Sequence, residues 1–190
     1  SDYAINYPFK YLANDNFILS SYMVLPNEET RLLLNNWIYN IYKYGEKIQT
    51  YTLLQKLITY IFKNFTYKVR EEAGVQTAKQ TLSYGSGSCR DFAFLFMEVV
   101  KCLGLATRFV SGYLYAPLMS EQVGSTHAWA EVYLPGGGWI GFDPTTGNIA
   151  GTDHISVAVS RLPDNVPPIA GSFLGVSDST ISVGVWVTKV

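Results

Sequence analysis

A chain of 190 residues with 48% apolar and only 15% charged residues is long enough to bury one substantial core and too apolar to be disordered. Its 14 basic and 15 acidic residues give a net charge of −1 and form no run of like sign, which excludes a nucleic-acid footprint of the basic-patch kind. No apolar stretch reaches the roughly 18 residues of a membrane span, and Ser1-Asp2-Tyr3-Ala4-Ile5-Asn6 lacks the basic-then-apolar order of a signal peptide. The expectation is a single domain over 1–190, cytoplasmic, with no membrane partner; a start at Ser1 rather than Met fits a processed chain or an excised fragment.

Helices come first. Asn27 precedes Glu28-Glu29, an N-cap followed by an acidic first turn, and Leu34, Trp37, Ile38 and Ile41 then recur at helical spacing, which predicts a helix over 28–43. Leu54, Leu57, Ile58, Ile61, Phe62 and Phe65 hold the same stripe and predict a second amphipathic helix whose duty is core packing. A third begins at Cys89, carries Phe92, Leu95, Phe96, Val99, Val100 and Leu103, and ends with Gly104 as its C′ residue. From Ala106 the pattern changes to strands, over 107–115, 127–134, 139–143, 155–160 and 181–187, each rich in β-branched and aromatic residues and separated by turns such as Pro135-Gly136-Gly137-Gly138. Helices followed by an antiparallel meander indicate an α+β domain with the helices on one face of the sheet.

Cys89 follows Tyr84-Gly85-Ser86-Gly87-Ser88 and opens the most apolar helix. A thiol there meets the positive end of the helix dipole and unpaired backbone N–H groups, which favour the thiolate, the reactive form. The same N–H groups can donate to an oxyanion on an attacked carbonyl. A cysteine taken at random is more often a small buried residue; the place of Cys89 reverses that preference, whereas Cys102, late in the helix beside Leu103, fits an inert core role.

A nucleophilic thiol needs a base, and the two histidines are His127 and His154. Either serves on composition alone. Strand pairing separates them: a three-residue hairpin loop Pro135-Gly136-Gly137 pairs Leu134 with Gly138 and sets Trp129 opposite Asp143. Asp143 then shares a face with His127 at one diagonal step, about 7–8 Å, within reach of side chains. A carboxylate there holds the imidazole in one tautomer, the role of the third member of a triad. Taken alone, Asp143-Pro144 is an ordinary strand exit; an even-length loop would put Asp143 on the other face. Trp129, two residues after His127, is the aromatic expected to line the substrate groove or to shield the His–Asp contact from water.

Gly87-Ser88-Cys89-Arg90-Asp91-Phe92-Ala93, Thr126-His127-Ala128-Trp129-Ala130-Glu131-Val132-Tyr133 and Gly138-Trp139-Ile140-Gly141-Phe142-Asp143-Pro144-Thr145 together resemble the bacterial transglutaminase-like family. The resemblance weakens outward through Arg108-Phe109-Val110-Ser111-Gly112-Tyr113-Leu114 to Asp153-His154-Ile155 and Val166-Pro167-Pro168, and covers about three quarters of the chain. It implies a papain-like, transglutaminase-core fold with the Cys helix packed on a C-terminal antiparallel sheet, and it carries over Cys89 as nucleophile, His127 as base and Asp143 as its partner. It assigns Asp153-His154 to a recurring structural segment. Relatives often carry a β-rich domain before this core, so an N-terminal domain missing from this chain is expected. Arg90 stands where a Gln often follows the nucleophile, and an Arg there either meets an acidic group on the substrate or pairs with a Glu or Asp.

Three functions compete. The first is an amide-bond hydrolase, a cysteine peptidase or amidase working through a thioester; the second is transfer of the same acyl group to an amine, as in glutamine crosslinking. They differ only in what attacks the thioester, and hydrolysis is favoured because nothing marks an amine site. The third is a binding module of the same fold without chemistry, against which the intact Cys89, His127 and Asp143 argue. Two His and two scattered Cys show no metal-ligand spacing; no metal or cofactor is expected, and the partner is a peptide or protein substrate.

Overall fold

The computed structural model describes residues 1–70, 72–115, 126–172, 174–175, 180 and 182–187. In chain order the N-terminal part forms β1 (Asn6–Tyr7), α1 (Ala13–Leu19), α2 (Glu28–Tyr39), β2 (Ile48–Gln49) and α3 (Thr50–Asn64). The Asn27 side chain caps α2 by accepting the Thr30 N–H at 2.9 Å, as its place before two acids predicts. The helix ends at Tyr39, four residues before the expected limit, because the chain turns at Asn40 and sends Tyr42 into the core against Tyr7. In α3 the predicted stripe is fully inside from Leu54 to Ile61, while Phe62 at its end is half exposed.

Next come β3 (Thr66–Tyr67), α4 (Ala78–Tyr84), β4 (Ser86–Gly87) and α5 (Cys89–Cys102). Sequence periodicity gave no sign of α4, which is seven residues long and set by a reciprocal capping box between Thr77 and Gln80 rather than by an apolar stripe. α5 is the axis of the molecule: Phe92, Leu95, Phe96, Val99 and Val100 are 0–2% exposed. It stops after Cys102, with Gly104 in the left-handed region at φ +75°, the C′ conformation that glycine alone adopts without strain.

The remaining strands are β5 (Thr107–Leu114), β6 (Thr126–Leu134), β7 (Gly138–Asp143), β8 (Asn148–Ile149) and β9 (His154–Ser160), in one antiparallel sheet of order β8-β7-β6-β5-β9. Phe109, Ala128, Ala130, Val132 and Phe142 turn from this sheet into the cluster that α2, α3 and α5 complete. This is the α+β arrangement expected, with helices against an antiparallel sheet.

One expected strand does not form. Residue 181 lies outside the described residues, and 182–187 carry only an isolated bridge at Val185, with Val183 and Trp186 exposed. Among the described residues the five-stranded sheet runs from β8 to β9 and does not take in 182–187, and strand propensity expresses itself mainly through sheet neighbours. Among the described residues no helix is long and apolar enough to cross a membrane.

Candidate active site

Cys89 is the first residue of α5 and is 8% exposed. The loop before it is fixed in two ways. Backbone pairing joins β4 in parallel to β3, with Thr66 N–H donating to Gly85 O at 2.8 Å and Lys68 N–H to Gly87 O at 2.9 Å. Asp91, wholly buried, accepts from Ser88 N and Ser88 Oγ at 2.8 and 2.9 Å on one oxygen, and from Arg70 Nη1 and Gln76 N at 2.7 Å each on the other. The Ser88-x-x-Asp91 spacing is a capping-box signal that sequence reasoning passed over. Tyr67 lies beside Cys89; burial, and then the nearby sulfur, push its hydroxyl pKa upward.

The β6–β7 hairpin has the predicted register, Leu134 opposite Gly138 through Ala130 opposite Phe142, and its continuation brings Trp129 across from Asp143. His127 Nε2 lies 2.8 Å from Asp143 Oδ2. The other oxygen, Oδ1, accepts the Thr145 N–H at 2.8 Å and the Thr146 N–H at 3.4 Å. Asp143 is therefore both a turn residue and an imidazole partner, one oxygen for each. Burial alone would raise its pKa, but the hydrogen bonds from His127, His154 and Thr145 hold it well below the usual carboxylate range. For His127 burial acts downward; the Asp143 hydrogen bond and then the nearby Cys89 outweigh it and raise the imidazole to about 9. With Nε2 engaged by Asp143, Nδ1 is the ring nitrogen left for Cys89.

His154 is also at this site, where the sequence reading had given it only a structural segment. Its Nε2 lies 3.0 Å from the same Asp143 Oδ2, and its Nδ1 accepts the Gly151 N–H at 3.3 Å. A β-bulge puts it there. β9 pairs with β5 as Ser111 to Ala158 and then as Gly112 to Ser156, so that Val157 is skipped and His154 falls opposite Leu114. Without the extra residue the count would place Ile155 opposite Leu114, and the His154 side chain would turn to the other face. The signal is not readable from strand periodicity, because a bulge changes the parity on which periodicity rests.

Trp129 is 2% exposed, stacked at 28° on His127 and edge-on to His154, with ring centroids 6.1 and 5.0 Å away. Its burial leaves no surface to line a groove, which corrects that half of the expectation, and its ring packs against both histidines. For Arg90 the expected pairing with a Glu or Asp of the chain is not seen among the described residues. It lies over the Phe109 ring at 5.3 Å and points its Nη1 and Nη2 to the carbonyls of Val166 and Pro163, 3.4 Å each; among the described residues no carboxylate lies in ion-pair contact with it. Burial, as the largest cause, lowers its pKa. Cys102 lies away from these groups, and burial pushes its thiol up to about 11.

Among the described residues, His127, Asp143 and His154 are the one group whose ligand atoms lie close enough, within 4.8 Å, to hold a metal ion. A cavity of about 450 Å³, lined by Lys68, Arg70, Glu72, Gln76 and Tyr84, reaches Gly87, two residues before Cys89.

Comparison with known proteins gives the family and the fold. The Transglutaminase-like superfamily matches residues 34–144, a span that contains Cys89, His127 and Asp143 and stops short of His154. An uncharacterised protein of Mycobacterium leprae is 36% identical over 109 residues, 55% of this chain and 38% of the relative. One of Mycobacterium tuberculosis is 31% identical over 138 residues, 68% of this chain and 44% of the relative. The chain thus spans less than half the length of these curated relatives. In fold it is similar to a candidate cysteine protease from Cytophaga hutchinsonii, with a TM-score of 0.63 at 22% identity, over 85% of this chain and 52% of that one. It is also similar to the periplasmic domain of TgpA from Pseudomonas aeruginosa, with a TM-score of 0.52 at 23% identity, over 70% and 48% of the two chains.

Proposed function

The chain belongs to the transglutaminase-like superfamily, and from that premise we propose that it is a thiol-dependent amide-bond hydrolase acting on peptide or protein substrates. The observation that carries the proposal is the contact of His127 Nε2 with Asp143 Oδ2 at 2.8 Å, made near Cys89 at the N-terminus of α5.

Cys89 is the nucleophile, His127 the proton carrier and Asp143 the residue that orients it. The Cys89 thiolate attacks the amide carbon, and the charge that develops on the oxygen is met by N–H groups at the start of α5. The C–N bond then breaks as the His127 imidazolium gives its proton to the departing amine, leaving a thioester on Cys89. Water next gives a proton to His127 as its oxygen attacks the thioester carbon; the C–S bond breaks, the acid departs, and thiolate and imidazolium are restored. Asp143 keeps its charge throughout and holds the ring with Nε2 toward itself and Nδ1 toward the sulfur. The cavity beside Gly87, lined by Lys68, Arg70 and Glu72 among others, is assigned to the polar part of an extended substrate.

Two measurements test this. Iodoacetamide at pH 7, with the label located by mass spectrometry, is expected to modify Cys89 and spare Cys102, whose thiol is held to about 11, and the rate at Cys89 is expected to fall by about tenfold or more in His127→Ala. Peptide substrates in ¹⁸O-water are expected to yield an acid carrying ¹⁸O, with none formed by Cys89→Ala. Equal, slow labelling of both thiols in both proteins would remove the enzyme reading. Acyl transfer to an added primary amine without ¹⁸O uptake would replace hydrolysis by the transferase reaction.

A further inference from the structure

His154 is outside the span matched by the family, yet its side chain is 8% exposed and reaches the carboxylate that holds His127. Its two ring nitrogens have opposite partners. Gly151 N–H is a donor, so Nδ1 accepts and carries no proton in the neutral ring; Nε2 then carries the proton and donates to Asp143 Oδ2. The turn that supplies this donor is closed in the other direction by His154 N–H to Gly151 O at 3.0 Å. This arrangement disfavours metal binding by the three-residue cluster, since a ligating Nε2 would have to lose its proton while Nδ1 still faced a donor.

We infer that His154 is a positioning residue for the reaction: it donates from Nε2 to Asp143 Oδ2, sharing that oxygen with His127, and so sets the aim of the carboxylate and moderates how strongly it attracts the His127 proton. The inference rests on the triad reading above. The groups that face His127 are Cys89 from α5, Asp143 from β7 and His154 from β9, with Trp129 packed against both rings. Of the two histidine bonds to Oδ2, that of His127 belongs to the ring that the nearby Cys89 also influences. Removing the other leaves more of the carboxylate charge on the oxygen that His127 touches, and the His127 proton is held more tightly.

The chain has two histidines, so ¹⁵N-histidine labelling gives a spectrum of two rings. In the wild type the neutral His154 ring is expected to carry its proton on Nε2 and none on Nδ1, and His127 to titrate near 9. In His154→Phe, which has no donor and fills the space against water, the His127 midpoint is expected to move upward by about half a unit or more, and the basic limb of the kcat profile to move with it. His154→Gln, whose amide N–H stands near the position of Nε2, is expected to return both toward the wild type. A His127 midpoint that His154→Phe leaves in place, or a wild-type His154 protonated on Nδ1, overturns the inference whatever the activity. A midpoint that moves as expected in a protein that cleaves no amide upholds the positioning role and removes the hydrolase reading instead.

Discussion

Arg70 Nη1 lies 2.7 Å from Asp91 Oδ1, and through that carboxylate the guanidinium is tied to the loop that carries Cys89. Asp91 is 0% exposed and accepts four hydrogen bonds, so every lone-pair direction of a buried charge is used. Asp91→Ala leaves Arg70, Gln76 N–H and both Ser88 donors without that acceptor. Removing one partner of a buried pair costs about 3–5 kcal/mol, and a thermal scan is expected to show a Tm lower by about 6–15 °C. Arg70→Met leaves Asp91 three of its donors and is expected to lower Tm by less. Equal, small effects of the two would remove Asp91 as the anchor of the loop.

Stability is expected to depend on pH through the same two groups that hold the proton. His127 is raised to about 9 from an ordinary 6.5, so it favours the folded state fully below about 6.5 and loses that contribution as pH rises toward 9. Asp143 is depressed from 3.8, so its contribution is present above about 4 and fades as pH falls below it. Tm is therefore expected to be highest between about pH 4 and 6.5 and to decline from 7 to 9. In Cys89→Ala the sulfur no longer raises His127, and the decline is expected to begin at lower pH. A flat Tm from 6.5 to 9 would show that His127 is not held as an imidazolium.

What could be read in advance follows from what periodicity and turn chemistry encode. The stripes of α3 and α5 are long enough to place the core, and the loop Pro135-Gly136-Gly137 fixes a hairpin register that carries His127 to Asp143. Three features were not legible, each for its own reason. α4 depends on a cap rather than a stripe. The stretch over 182–187 has strand composition but, among the described residues, forms only an isolated bridge at Val185. His154 reaches the site through a bulge, which shifts parity by one residue at a place no composition marks, so that a histidine read as scaffold stands on the same oxygen as the expected base.

Trp129 packs against both histidine rings, and its truncation is expected to slow catalysis through the water it admits. Trp129→Ala mixes that effect with a cavity cost of about 3–5 kcal/mol, so the informative change is Trp129→Phe, which keeps an aromatic face with less area. It is expected to fold with a Tm within about 10 °C of the wild type and to lower kcat by about tenfold with KM little changed. A loss confined to KM would return Trp129 to the groove wall.

Gly112 sits at the bulge that delivers His154, and a side chain there has no room. A Cβ would overlap the Ile155 carbonyl oxygen and come within 2.9 Å of Trp129 Cη2, so β9 or the indole must move. Ile155 is the residue after His154, and Trp129 packs against both histidine rings, so either movement is expected to reach the contacts on Asp143 Oδ2. Overpacking of this kind costs about 1–3 kcal/mol, and Gly112→Ala is expected to lower Tm by about 3–10 °C. It is also expected to weaken the His154 contact, so that the His127 midpoint rises as it does in His154→Phe. Gly151→Ala is the matched control: nothing lies within 4 Å of its Cβ position, its N–H remains, and Tm is expected to stay within about 2 °C. If Gly112→Ala lowers Tm without moving the His127 midpoint, the bulge supports the sheet but does not govern the site.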